Sequence, residues 1–199
     1  MKPIDRGEVL ELAAYEDVRE HFRGRVIAEK KLRRLQLGPK ATALFENRDT
    51  VLLQIQEMLR TERITRPGAV QHEIDTYNET VPGDGELSLT VMIEIPDKAE
   101  RDAFLAAAVG FERHVWLVGG PERVRARSIE RGATAEDRTT AVHYLKMDLP
   151  KALANALREH GGGRAPAPRV ELEVDHPAYA VRAALPTATL LKLGEDLLG

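Results

Sequence analysis

Between Arg19 and Lys40 the chain places eight basic residues: Arg19, Arg23, Arg25, Lys30, Lys31, Arg33, Arg34 and Lys40. Only Glu20 and Glu29 oppose them, a net +6 in a chain of −3, so the rest sums to −9. Positive charge gathered in one segment of an acidic chain focuses potential and draws anions or acidic partner surfaces. Few acids sit four residues away to pair it internally. The competing reading is a solvated helical face, the usual fate of a charge run. Phe45-Glu46-Asn47-Arg48-Asp49-Thr50 follows at once, then Gln54, Gln56, Glu57 and Arg60. Gln54 and Glu57 share one helical face and form a candidate polar cluster able to hold Arg48 or a ligand. A buried, hydrogen-bonded Glu there could act as a base, although no His lies nearby at metal spacing. The plainer reading is that Asn47 or Asp49 caps a helix and Arg48 pairs with an acid.

Other constellations carry less. Arg123, Arg125 and Arg127 alternate along one strand, so they share a face and need acids or an anion opposite. Glu171 and Glu173 are the expected cross-strand partners. His72-Glu73 with Asp75 lacks the second His of a zincin helix and reads as a solvated face. Asp175-His176-Pro177 with Tyr179 is a turn by composition, with His176 and Tyr179 as candidate site residues. Gly119-Gly120-Pro121 lacks the Lys-Ser/Thr of a P-loop, and no serine sits in a nucleophile elbow.

The elements that must position these groups follow from periodicity. Asp5 can cap a short first helix. A long helix is expected from about Ala14 to Leu37, stopped by Gly38-Pro39, with a possible break at Gly24. Ala41 to Phe45 reads as a short strand. Val51, Ile55, Met58 and Leu59 give the next helix its apolar face, and Pro67 opens a third with Val70, Ile74, Tyr77 and Val81. Leu87, Leu89, Val91, Ile93 and Ile95 alternate with polar residues as a half-buried strand. Asp97 with Glu100 opens a short helix ending at Gly110. His114–Val118 and Arg123–Ile129 read as a hairpin, and Thr140–Met147 as another strand. Pro150 starts a helix to His160-Gly161. Two more strands, around Val170–Val174 and Tyr179–Leu185, precede a C-terminal helix. The class is α+β: N-terminal helices packed on a mainly antiparallel sheet, with a C-terminal helix. The expected organisation is one domain over 1–199, helical to about 80 and sheet-rich from about 81. A mobile loop is expected at 161–168.

The 43% apolar and 31% charged content is that of an ordinary globular protein. No apolar run approaches the roughly 18 residues of a membrane span, and Met1-Lys2-Pro3-Ile4-Asp5 has no secretory h-region. The reading is therefore a cytoplasmic protein with no membrane partner. With no cysteine, thiolate chemistry and Cys-ligated clusters are excluded within this chain. No cofactor or metal is expected.

Met1-Lys2-Pro3-Ile4, Phe45 to Val51, Gln54 to Arg60, Tyr77-Asn78, Glu86-Leu87-Ser88 and Val174 to Tyr179 together resemble one bacterial family, domain of unknown function 3501. The resemblance spans essentially the whole chain. It implies no activity. It does imply a redox or oxidative-stress setting beside a rubrerythrin-like diiron protein and an iron–sulfur oxidoreductase. The first functional reading is thus an accessory or partner-binding component of a redox system. The alternative is an enzyme or sensor binding a small anion such as a nucleotide between the basic helix and the Arg48/Glu57 cluster. Candidate contacts are Arg33, Arg34, Glu46, Asn47, Arg48, Gln54, Glu57, His176 and Tyr179. Nucleic-acid binding is the weakest reading, because Phe22 is nearly alone as an aromatic in the basic run.

Overall fold

The computed structural model describes residues 1–129 and 137–199. Among them it forms six α-helices and nine strands in two antiparallel sheets, an α+β fold. The first long helix, α1 (Leu12–Arg33), runs unbroken through Gly24. It stops four residues short of the expected end. There the periodicity changes from helical to alternating: Arg34 and Gln36 face out while Leu35 and Leu37 are buried. These four residues are strand β1 (Arg34–Leu37), paired with β2 (Ala41–Glu46). Gly38-Pro39 is therefore a hairpin turn and not a helix stop. Gly38 adopts φ +63°, and a Cβ there would meet the Tyr179 hydroxyl at 2.6 Å.

Asn47 caps α2 (Arg48–Thr61), accepting from the Thr50 amide at 2.9 Å. Pro67 opens α3 (Pro67–Asn78). The remaining elements are β3 (Glu86–Ile93), α4 (Lys98–Ala107), β4 (Val115–Gly119), β5 (Glu122–Arg125), β6 (Arg127–Ser128), β7 (Val142–Asp148), α5 (Lys151–Gly161), β8 (Val170–His176), β9 (Tyr179–Ala184) and α6 (Thr187–Leu198). No described helix is long and apolar enough to cross a membrane.

The first sheet runs β1-β2-β3-β7-β6 and the second β5-β4-β8-β9. The expected Arg123–Ile129 strand is divided between them. At Ala126, whose amide donates to Val115 O at 2.8 Å, the chain leaves the second sheet, and β6 joins the first. At the other side Tyr179 of β9 donates its hydroxyl to Leu37 O and accepts from Lys40 N at 3.2 Å.

The inward rows of both sheets form one core with α4, α5 and α6. Phe45, Leu89, Val91, Leu117, Leu145 and Leu172 are all at most 1% exposed within it. A second core joins the N-terminal segment to α2 and α3 through Ile4, Val51, Ile55, Val70 and Ile74. That packing explains a departure at β3. Its outward residues Glu86, Ser88 and Thr90 are buried as well as its inward ones, so the strand is covered on both faces.

Candidate functional site

Cross-strand register arranges the outward face of the first sheet in rows. Arg34, Leu44, Thr90 and Tyr144 lie side by side across β1, β2, β3 and β7. The next row is Glu46, Ser88, Lys146 and Arg127. On the other side lie Thr42, Met92 and Val142. A cleft of about 250 Å³ opens above the first and third of these rows. Leu44, Met92, Val142, Thr90 and Tyr144 make its floor. Val51 and Gln54 of α2, with Tyr77 and Thr80 at the end of α3, make a wall. Lys30 of α1 and Arg34 enter from the side, and Glu46 closes one end.

The Glu46 carboxylate is tied to its place from two elements. Thr90 donates its hydroxyl to Oε1 at 2.6 Å, and Thr50, on the first turn of α2, donates to Oε2. The positive end of the α2 dipole stabilises a carboxylate at that position. No Lys, Arg or His nitrogen lies within 4.0 Å of Glu46 among the described residues. Among the described residues Lys30 has no carboxylate within that distance, and Arg34 reaches only Glu94 at 3.9 Å. In the adjoining row the Ser88 hydroxyl, 2% exposed, finds no hydrogen-bond partner among the described residues. The cleft is thus an apolar floor with negative charge at one end and positive charge at its side.

Several expected site residues do other work. Arg33, 1% exposed, clamps α1 to α6: its guanidinium binds both Asp196 oxygens, one at 2.9 Å, and Glu29 at 2.8 Å. It cannot meet a ligand. Arg48 and Glu57 do not form a pocket. Nine helical residues separate them by about 14 Å and about two and a half turns, so they face opposite sides of α2. Arg48 binds the carbonyls of Lys2 and Pro3 at 3.1 and 3.4 Å and the Glu8 carboxylate. Glu57 faces α1, accepting from Tyr15 at 2.6 Å and from Arg19 at 2.8 and 2.9 Å. The Arg19 hydrogen bonds outweigh burial and hold its carboxyl at about 2, while burial and the same carboxylate push the Tyr15 phenol up.

His176 is buried beneath a turn, with Nε2 3.1 Å from Val109 O and Nδ1 accepting from Ala178 N at 3.1 Å. Both ring nitrogens are occupied, as is the Tyr179 hydroxyl. Asn47 serves as a helix cap. Of the nine candidates, the cleft brings together Arg34, Glu46 and Gln54.

The basic segment is also largely neutralised. Arg19 pairs with Glu57, Arg25 with Asp49 at 2.5 Å, Arg33 with Asp196 and Lys40 with Glu100 at 3.0 Å. Arg23, Lys30 and Lys31 are left without a carboxylate partner among the described residues, and Lys30 lines the cleft. Tyr77, Thr80, Thr90, Met92, Val142 and Tyr144 were not legible as site residues. The available signal was their place at the polar-phase positions of two strands and at one helix end, and nothing in the sequence pairs those strands.

On the second sheet Arg123 stacks over the Trp116 ring at 3.9 Å and pairs with Glu173 at 3.2 Å and Asp175 at 2.5 Å. Glu173 is thus the partner expected for the arginine row. Glu171 pairs with Arg169 and Arg182, and Arg127 pairs with Glu86 and Asp148 on the first sheet. Among the described residues no three His, Asp or Glu side chains are grouped to hold a metal ion.

A crystal structure of a protein of unknown function from Burkholderia pseudomallei K96243 superposes on this chain with a TM-score of 0.89. The two are 33% identical, over 98% of this chain and 100% of that one. No curated protein matches. The family model described as "Protein of unknown function (DUF3501)" matches residues 3–197. With that match running from the N-terminal strap to the last turn of α6, the chain belongs to the DUF3501 family.

Proposed function

We propose that this protein binds a small, largely apolar molecule bearing an anionic group, in the cleft between α1, α2, α3 and the first sheet. The observation that carries this is the pair of cations at the side of the cleft. Among the described residues Lys30 has no carboxylate partner and Arg34 only a distant one, while Arg19, Arg25, Arg33 and Lys40 of the same segment are paired. A cation left without a close carboxylate beside an apolar floor is a recognition element for an acid. A volume of about 250 Å³ falls below the roughly 300–1,000 Å³ of drug-sized pockets. That favours a metabolite smaller than a nucleotide. The test is a thermal-shift and calorimetric screen of small carboxylates and phosphates against wild type and the Lys30→Ala/Arg34→Ala double variant. A ligand that raises Tm with concentration and loses about tenfold or more in affinity in the variant supports the reading. Equal affinities in the two proteins would sink it.

A second reading keeps the redox setting implied by the family resemblance: an accessory protein of the bacterial cytoplasm that docks on a rubrerythrin-like protein or an iron–sulfur oxidoreductase. It is supported by the solvent side of α1, where Val18 and Leu32 are 44% and 40% exposed. Val18→Asp/Leu32→Asp would abolish co-purification with such a partner if this side docks.

A further inference from the structure

We infer that the ligand of this cleft carries a positive charge as well as a negative one: an α-amino acid with an apolar or aromatic side chain. The inference rests on the ligand-binding reading above and adds the ammonium group and the size.

Glu46 supplies the argument. Four other carboxylates held in buried or part-buried positions have cations against them. Glu57 has Arg19, Glu86 has Lys146 at 2.7 Å, Glu173 has Arg182 at 2.9 Å, and Asp196 has Arg33. Glu46 faces the cleft with only two threonine hydroxyls upon it. Each carboxylate oxygen accepts along two directions, and one threonine occupies each. Acceptor capacity remains on both oxygens. An ammonium, a compact cation with three donors, matches that vacancy in charge and hydrogen-bonding sense.

The spacing of the charges sets the ligand's shape. Arg34 lies directly across from Leu44, and Glu46 is two residues further along the same strand on the same face. Arg34 and Glu46 are therefore diagonal neighbours, about 7–8 Å apart at the backbone. An ammonium and a carboxylate on one carbon can engage Glu46 and a cation of the Lys30/Arg34 pair together, each through a charge-assisted hydrogen bond. Leu44 lies between them, so the ligand's third substituent rests on an apolar surface that continues through Met92 and Val142. The cleft volume of about 250 Å³ leaves room for such a side chain and little more.

The experiment is isothermal titration of wild-type protein with leucine, methionine, phenylalanine and tyrosine. For the tightest of them, the des-amino acid and the decarboxylated amine follow. For phenylalanine these are 3-phenylpropanoate and phenethylamine. The zwitterion is expected to bind at least about tenfold tighter than either single-charge analogue. In Glu46→Gln, checked for an unchanged circular dichroism spectrum, that preference over the des-amino acid should vanish. In Lys30→Ala/Arg34→Ala the preference over the amine should vanish instead. A des-amino acid that binds wild type as tightly as the zwitterion overturns this inference and leaves the anion-binding cleft standing. No binding by any of these amino acids also overturns this inference, while the anion-binding cleft stands or falls on the screen of carboxylates and phosphates. The wild-type comparison stands without either variant.

Discussion

On the outer face of the second sheet, Arg123 meets Glu173 and Asp175, Arg182 meets Glu171 and Glu173, and the face of Trp116 is covered by a guanidinium. Over the outer face of the first sheet, among the described residues, Glu46 has no cation, Lys30 of α1 no carboxylate, and the Ser88 hydroxyl no partner. Both faces belong to antiparallel sheets and carry a similar mixture of residues. They differ in what lies above them. The second sheet's face is open to water, and its charges satisfy one another across strands at modest gain per pair. The first sheet's face is roofed by α1, α2 and α3, so an unmatched charge there is partly shielded from water and a ligand's charge counts for more. Binding capacity is therefore read from charges left unmatched under a roof, and not from how many charges a segment contains. The +6 segment illustrates the error: Arg19, Arg25, Arg33 and Lys40 are each paired with a carboxylate of the fold, and Arg33 is buried.

The comparison has a boundary within the first sheet, and the largest expected effect lies there. At the fully covered end Glu86, 7% exposed, accepts from Gly83 N at 2.8 Å and pairs with Lys146 and Arg127. Burial raises its carboxyl, but Lys146 and the Gly83 amide outweigh that and leave it lowered. Glu86→Ala would strand the Lys146 ammonium, and stability should fall by about 3 kcal/mol. Urea denaturation measures this. A loss under about 1 kcal/mol would mean that the covered end is no better matched than the cleft.

A smaller effect should appear on acidification, at the matched sites. Glu57 and Asp175 both lie at about 2. For Asp175, burial raises the carboxyl, and hydrogen bonds from Arg123 and His114 help overcome it. Both folded values lie below the ordinary carboxylate range, so the unfolded chain takes up these protons first as pH falls. The stabilisation is full above about pH 4.5 and disappears between there and about pH 2. It amounts to about 2 kcal/mol for Glu57 and below about 1 kcal/mol for Asp175, a third exposed, where water screens the pair. Denaturation midpoints at pH 7 and pH 3 should therefore differ less in Glu57→Gln than in wild type. An unchanged difference would remove the Arg19–Glu57 contact from the matched set.

Local chemistry made much of the fold legible. Asn47 before Val51 and Ile55 reads as a cap and is one, and the alternation of Leu87 to Ile93 reads as a strand and is one. Short-range signals were misjudged where two periodicities met: Arg34 to Leu37 continue the charge pattern of α1 but already alternate as a strand. The candidate site was legible by parts. Arg34, Glu46 and Gln54 could be named, but their company could not, because Thr90 and Tyr144 come from strands 44 and 98 residues beyond Glu46 and only register unites them. Arg33 shows the limit most plainly. Next to Arg34 in sequence it looks like the same surface cation, yet reversing it to Glu would break the clamp on Asp196 rather than probe a ligand.

The smallest expected effect addresses the cleft row itself. Ser88 stands between Glu46 and Lys146 in register, both of which bond elsewhere: Glu46 to the two threonines, Lys146 to Glu86. A buried hydroxyl without a partner has lost its water and gained nothing, at a cost of about 1–3 kcal/mol. Ser88→Ala removes the hydroxyl and leaves Cβ in place, so no cavity larger than an oxygen atom is created. Stability should therefore stay level or rise by up to about 1 kcal/mol, against the usual small loss for a substitution in a covered strand. A rise would mark this row as under-bonded. A fall of about 1 kcal/mol or more would mean that the hydroxyl has a partner in solution, such as a buried water. The contrast between the two faces would then rest on Glu46 and Lys30 alone. Urea midpoints of Ser88→Ala and wild type at pH 7 decide between these outcomes.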